Sequence, residues 1–372
     1  MVNMVTPPET PPSFTTAIAE ADHDSGCLRY RGVDIRELVD KVTFGEVWGL
    51  LVSGNFGAGL PPAEQFPLPV RTGDVRVDVQ SALAQLAPVW GFRPLHDIDI
   101  DQAREQLGRA STMAMSFIAQ SARGADVPVV PEHQIGKAET VVGRFMTRWR
   151  GEPDPRHVAA LDGYFTVAAE HGLNPSTMTA RLIASTGADV AACLSGAVGA
   201  ISGPLHGGAP SRALRMILEA EAHGDPQTYV RGLLDRGIRL MGFGHRVYGG
   251  EDPRATAIRE LARRFEAPLF DIASRLEADA LDVLAERHPD QGIGVNMEYW
   301  VAVLLHGAEV PPRLFAPMFA CARSAGWSAH ILEQKALQRP IRPVAQYAGP
   351  SPRSAEAVPG WDMLPPAHRF DR

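Results

Sequence analysis

A helix-start signal recurs along this chain while strand signals stay rare, and that imbalance constrains the fold more than any other feature. Thr43-Phe-Gly-Glu-Val-Trp-Gly-Leu-Leu begins on a cap-competent threonine, carries Glu46 three positions on as a capping box, and then runs amphipathically. Asp34-Ile-Arg-Glu-Leu-Val opens in the same way. Helical spacing of Ala, Leu, Arg and Glu continues through 155–170, 176–188, 211–222, 255–266, 269–287, 297–306 and 312–334, with Pro and Gly between the runs. Alternating β-branched runs are short. A mostly α-helical chain is expected. Its 372 residues, 45% hydrophobic and 21% charged, suffice for two to three domains, or for one large domain with a smaller one.

Several classes are excluded early. A net charge of −7 with scattered basic residues gives no reason to expect nucleic acid. Cys27, Cys193 and Cys321 lie far apart and form no CxxC, which fits a reducing cytoplasm and argues against a disulfide framework. Residues 1–13 are rich in Pro and Thr, lack the parts of a signal peptide, and read as a loose arm. The long apolar stretch 182–205 contains Asp189 and many small residues, so it is expected to form one or two buried helices at a subunit interface and no membrane span. Residues 54–80 read as a loop, 122–135 as a break, and the Pro-rich part after Gly349 as a surface run. No internal repeat or low-complexity block is visible.

Six clusters carry the chemistry. In Gly242-Phe-Gly-His-Arg-Val-Tyr248, glycines crowd His245 and let backbone approach a ligand; Arg254 follows in Asp252-Pro-Arg254. A titratable imidazole and a stiffly held guanidinium suit a carbonyl substrate that also bears a carboxylate. Ser202-Gly-Pro-Leu-His-Gly-Gly-Ala209 sets His206 in a Pro/Gly turn before a helix, where amides favour an anion. Glu170-His-Gly-Leu-Asn-Pro-Ser-Thr177 offers His171, with Ser176 or Thr177 as the next cap. Asn296-Met-Glu-Tyr-Trp300 embeds Glu298 among apolar residues, where desolvation raises a carboxyl pKa toward neutrality. Arg323 lies among small and aromatic residues that leave it without an obvious counter-ion. Arg342 sits in Arg339-Pro-Ile-Arg-Pro343.

The order His171, His206, His245, Arg254, Glu298, Arg323, Arg342 resembles that of the citrate synthase family. Gly26-Cys-Leu-Arg-Tyr-Arg-Gly-Val-Asp-Ile35 and residues 145–177 resemble that family too. The similarity covers roughly 24–54, 140–260 and 293–349; residues 55–139 are much less recognisable. The resemblance implies an all-α, multi-helical, two-domain dimer. The large domain would comprise 1–207 and 310–372 and the small domain 208–309, with hinges near Gly207 and Ala308. It implies an acyltransferase that condenses acetyl-CoA with oxaloacetate and hydrolyses the thioester to citrate and CoA, with no metal and no redox cofactor. In that scheme Glu298 takes the methyl proton, His206 hydrogen-bonds the thioester oxygen and His245 polarises the oxaloacetate carbonyl. His171, Arg254, Arg323 and Arg342 bind the dicarboxylate, Arg342 coming from the partner subunit. Leu240, Met241, Gly242, Phe243, Gly244 and Arg246 border CoA.

Three departures from the family pattern stand out. Glu298 replaces the usual Asp, followed by Tyr299 and Trp300 where Phe and Tyr are usual. Gly249 stands where a Lys is common, and Val344 where a second Arg often follows. The alternatives are a 2-methylcitrate synthase using propionyl-CoA, or a weakly active or non-catalytic homologue that binds oxaloacetate or CoA.

Overall fold

Thr43 begins its helix as the sequence predicts: its side chain accepts from the Glu46 backbone N–H, and Glu46 returns a bond from the Thr43 N–H at 2.6 Å. The structure, a computed structural model, describes residues 14–22, 26–57, 59–244, 250 and 252–363. His245, Arg246 and Gly249 lie outside the described residues. The chain divides into a compact body, 16–341, and a second unit of 1–15 with 342–372. In the second unit every described residue from 342 to 363 is exposed, and its local order is two short 3-10 turns.

The described residues of the body are all-α apart from one small sheet. Among the described residues, β1 (Ala19–Asp22), β2 (Cys27–Tyr30) and β3 (Val33–Asp34) form an antiparallel meander. Fourteen α-helices follow among the described residues. They are α1 (Phe44–Ser53), α2 (Val75–Trp90), α3 (Ile100–Arg123), α4 (Glu132–Ile135), α5 (Val141–Arg150), α6 (Pro155–Ala168) and α7 (Pro175–Ser185). Then come α8 (Val190–Ile201), α9 (Ala209–His223), α10 (Pro226–Asp235), α11 (Pro253–Arg264), α12 (Phe270–Arg287), α13 (Met297–Gly307) and α14 (Phe315–Leu337). No helix among the described residues is long and apolar enough to cross a membrane. The acid that argued against a span, Asp189, is the N-cap of α8 and accepts from the Ala192 N–H. The stretch 182–205 is therefore the end of α7, a turn, and α8.

Other expectations need adjusting. Asp34 starts only a 3-10 turn, Ile35–Glu37. Residues 54–80 are irregular until Asp74 caps α2. The sequence reading missed α2, α3, α5 and α10; in α3 residues 110–120 are buried without interruption and show no amphipathic stripe.

Buried α14 is the axis of the core and packs against α1, α3, α6, α7 and α8. Helices α9 to α13 pack largely among themselves, with α11 also against α6. Two close approaches position the segment that carries His171. The Tyr30 hydroxyl on β2 donates at 2.8 Å to Val167 O and accepts at 3.2 Å from Glu170 N, fixing the end of α6. Gly326 on α14 donates its N–H to Ala169 O, and a Cβ there would meet Glu170 Oε2 at 2.1 Å, so a side chain would push the two elements apart.

Candidate active site

Two of the motifs that the sequence sets about fifty residues apart are stitched together. Phe243 and Val295 form an isolated antiparallel bridge. Gly244 N–H donates to Gly294 O and Asn296 N–H to Gly242 O, each at 2.8 Å. The Asn296 side chain closes the join by donating to Gly244 O at 2.9 Å. Gly242 is required here: its φ is +88°, and a Cβ would lie 2.7 Å from Tyr299 Cβ. Asn296 also caps α13 and accepts from the Glu298 N–H. The carboxyl of Glu298 is thereby held beside the glycine loop.

A cavity of about 570 Å³ opens there. His171, His206 and Glu298 line it, as do Leu240, Met241, Gly242, Phe243 and Gly244. Glu298 is half-buried, and its Oε2 has no hydrogen-bond partner among the described residues. Burial pushes its pKa up; Arg254 and, more weakly, Arg323 pull it down, while Asp252 adds to the rise. A carboxyl so placed is a stronger base than an exposed glutamate.

His206 is held neutral. Burial, with the nearby Arg323 charge, lowers its pKa to about 4. Its Nε2 lies 2.9 Å from Ser176 Oγ, and its ring meets Phe319 edge-on at 5.9 Å. Ser176 is buried and belongs to the first turn of α7, whose cap is Asn174; neither Ser176 nor Thr177 has the capping role expected of it. The Ser176–His206 contact is invisible in sequence because thirty residues separate the pair.

Two buried arginines named by the sequence, Arg323 and Arg254, differ. Arg323, 2% exposed, donates Nε–H to Ala168 O at 3.0 Å and lies over the Phe319 ring. Its two Nη groups make no hydrogen bond to a described residue. Burial and the like charge of Arg254 lower its pKa, so an anion would relieve both costs. Arg254, by contrast, is already paired: Nε and Nη2 clasp the two oxygens of Asp252 at 3.0 and 2.8 Å. Asp252 also caps α11 and accepts at 3.1 Å from the Met297 N–H, directly before Glu298. Sequence reasoning passed over Asp252, although a carboxylate two residues before a buried Arg was the available signal. It also passed over Arg212 and Arg239, exposed residues that line the cavity and make no ion pair or hydrogen bond to a described residue. Arg342 is exposed in the second unit.

No group of three or more His, Cys, Asp or Glu that could hold a metal occurs among the described residues. The family model described as citrate synthase, C-terminal domain, matches residues 9–344. The chain belongs to the citrate synthase family. A Mycobacterium tuberculosis relative named "Putative citrate synthase 2" is 61% identical over 353 residues, covering 95% of each chain. A 2-methylcitrate synthase of Shewanella oneidensis is 31% identical over 360 residues, covering 91% of this chain and 93% of its own. Among solved structures, the Thermotoga maritima citrate synthase superposes with a TM-score of 0.72 at 27% identity, covering 96% of this chain and 97% of its own.

Proposed function

We propose that this citrate synthase family member condenses acetyl-CoA with oxaloacetate and releases citrate and CoA, with Glu298 as the base. The observation that carries this reading is the shared cavity of Glu298, His206 and His171, in which a carboxyl with a raised pKa and an unbonded oxygen sits near a neutral imidazole. A thioester methyl is a very weak acid, so a carboxylate can deprotonate it only if the incipient enolate oxygen is stabilised. Glu298 takes the methyl proton and His206 donates a hydrogen bond to the thioester oxygen. The enol carbon then forms a bond to the oxaloacetate carbonyl carbon, whose oxygen is protonated by His245. Water hydrolyses the resulting thioester and CoA leaves as the thiol.

Arg323, with two unbonded Nη groups, binds one carboxylate of oxaloacetate, and Arg254 and His171 contribute to the other. The unpaired Arg212 and Arg239 suit the phosphates of CoA, a role for which Gly249 has no side chain. Leu240 to Gly244, with Arg246, border the same ligand. The mutual packing of α9 to α13 supports reading 208–309 as a small domain that closes over substrate, turning near Gly207 and Ala308. The active form is a homodimer in which Arg342 serves the neighbouring site. A reducing cytoplasm suits a chain whose three cysteines form no disulfide with one another.

The second reading is condensation of propionyl-CoA, favoured by the 31% identity to a 2-methylcitrate synthase. One added methylene alters selectivity by only about 1–3 kcal/mol. Release of free CoA thiol from acetyl-CoA and from propionyl-CoA, each with oxaloacetate, decides between them. No thiol release from either, by a folded dimer, would sink the enzymatic reading.

A further inference from the structure

Ser176 Oγ is saturated. A hydroxyl oxygen has one proton to give and two lone pairs. Three polar atoms meet it: Asn174 Oδ1 at 2.8 Å, His206 Nε2 at 2.9 Å and Trp327 Nε1 at 3.1 Å. Trp327 is buried on α14, one turn after Arg323, and its indole N–H can only donate. Asn174 Oδ1 can only accept, and its identity follows from its neighbours. It takes the Thr177 N–H, while Nδ2 donates to Gly172 O and to Thr177 Oγ1. The single hydroxyl proton therefore has two destinations, Asn174 or His206, while the indole bond is common to both.

The destinations differ in chemistry. With the proton toward Asn174, a neutral His206 carries its own proton on Nε2 and Nδ1 is a bare lone pair. With the proton toward His206, Nε2 accepts and the ring proton lies on Nδ1. Only the second state can donate from Nδ1 to a thioester oxygen. Switching requires the imidazole to release its proton from Nε2 to solvent and take one up on Nδ1, at the cavity that His206 lines, while the hydroxyl proton rotates about a stationary oxygen; a Ser176 Oγ that drifted would lose the ring.

We propose that Trp327 is a positioning residue for His206, acting through Ser176. Its N–H pins Ser176 Oγ so that the hydroxyl proton can select the imidazole tautomer without moving the ring. The inference rests on the reading of His206 as the group that meets the thioester.

The test is Trp327→Phe, alone and combined with Ser176→Ala, in the full-length protein. Turnover should fall roughly fivefold to tenfold, as one lost hydrogen bond allows, with the KM for oxaloacetate unchanged. The two substitutions together should cost no more than Ser176→Ala alone. In parallel, the 15N shifts of the His206 ring nitrogens should move in Trp327→Phe, showing a changed tautomer balance. Unchanged turnover with unchanged 15N shifts overturns the proposal, and so do strictly additive effects. If Trp327→Phe does not fold, a benzothiophene side chain at 327 replaces only the N–H by sulfur and is judged by the same readouts. Absence of thiol release by the unsubstituted protein would instead overturn the reading of the reaction, while the 15N comparison would still judge the role of Trp327.

Discussion

Asp252 accepts the backbone N–H of Met297 at 3.1 Å while its carboxylate clasps the guanidinium of Arg254. One buried carboxylate thus joins the start of α11, which carries Arg254, to the start of α13, which carries Glu298. Held this way, the two groups cannot drift independently, and the acid's pKa feels both charges.

That junction makes Arg254 structural as well as functional. Arg254→Ala should strip a buried carboxylate of its counter-ion and lower stability by about 3–5 kcal/mol, besides raising the oxaloacetate requirement. Adding Asp252→Asn should recover part of the stability but none of the oxaloacetate affinity. Urea unfolding and steady-state kinetics on the single and double variants check this; full recovery of both would show that Arg254 holds no substrate.

Glu298→Gln keeps the shape and removes the base. Turnover, read as CoA thiol release, should fall by about 10²–10⁴-fold, and an unchanged rate would refute the assignment. Because burial raises the Glu298 pKa, the competent carboxylate is lost as pH falls through that raised value. The acid limb of kcat/KM should accordingly lie above the ordinary glutamate range and disappear in Glu298→Gln.

Arg323→Met tests the unpartnered guanidinium. The oxaloacetate KM should rise about 10- to 100-fold, the loss of charge-assisted hydrogen bonds. The His206 pKa should move up from about 4, since one of the two causes of its depression is gone. NMR titration of His206 measures the second effect independently of catalysis.

Asp162 offers a stability test remote from the cavity. Burial raises its pKa to about 7, partly opposed by the Phe44 N–H it accepts and reinforced by Glu46 and Asp40. Between pH 4 and 7 the folded state then holds a proton that the unfolded state has lost, so this group makes stability fall as pH rises. Asp162→Asn should raise Tm at pH 8 by a few degrees and leave it unchanged near pH 4; a gain of the same size at both values would contradict the shift.

Gly326→Ala should move catalysis from a distance. The new Cβ would meet Glu170 Oε2 and Ala169 O, at 2.1 and 2.6 Å, just before His171. Overpacking of this kind costs about 1–3 kcal/mol. A lower Tm together with a higher oxaloacetate KM is expected; a change in Tm alone would mean that the end of α6 does not govern the position of His171.

The amino-acid sequence by itself determined most of the helices and the chemical groups. Capping at Thr43 and the periodicity of 253–264 and 270–287 are local, because caps and amphipathic faces depend on neighbours within a turn or two. The identity of Glu298 and its departure from the usual Asp were equally plain. Legibility failed where burial was complete, as in α3, and where partners were distant in sequence. Only the tertiary structure brought the 242–244 loop against 294–296, set Ser176 between His206 and Trp327, and gave Arg254 but not Arg323 a carboxylate. It also separated the pKa values of Glu298 and His206 in opposite directions. The physical reason is shared: hydrogen bonds across tens of residues and the desolvation of a charge are set by what packs around a group in space, and a linear pattern does not record that.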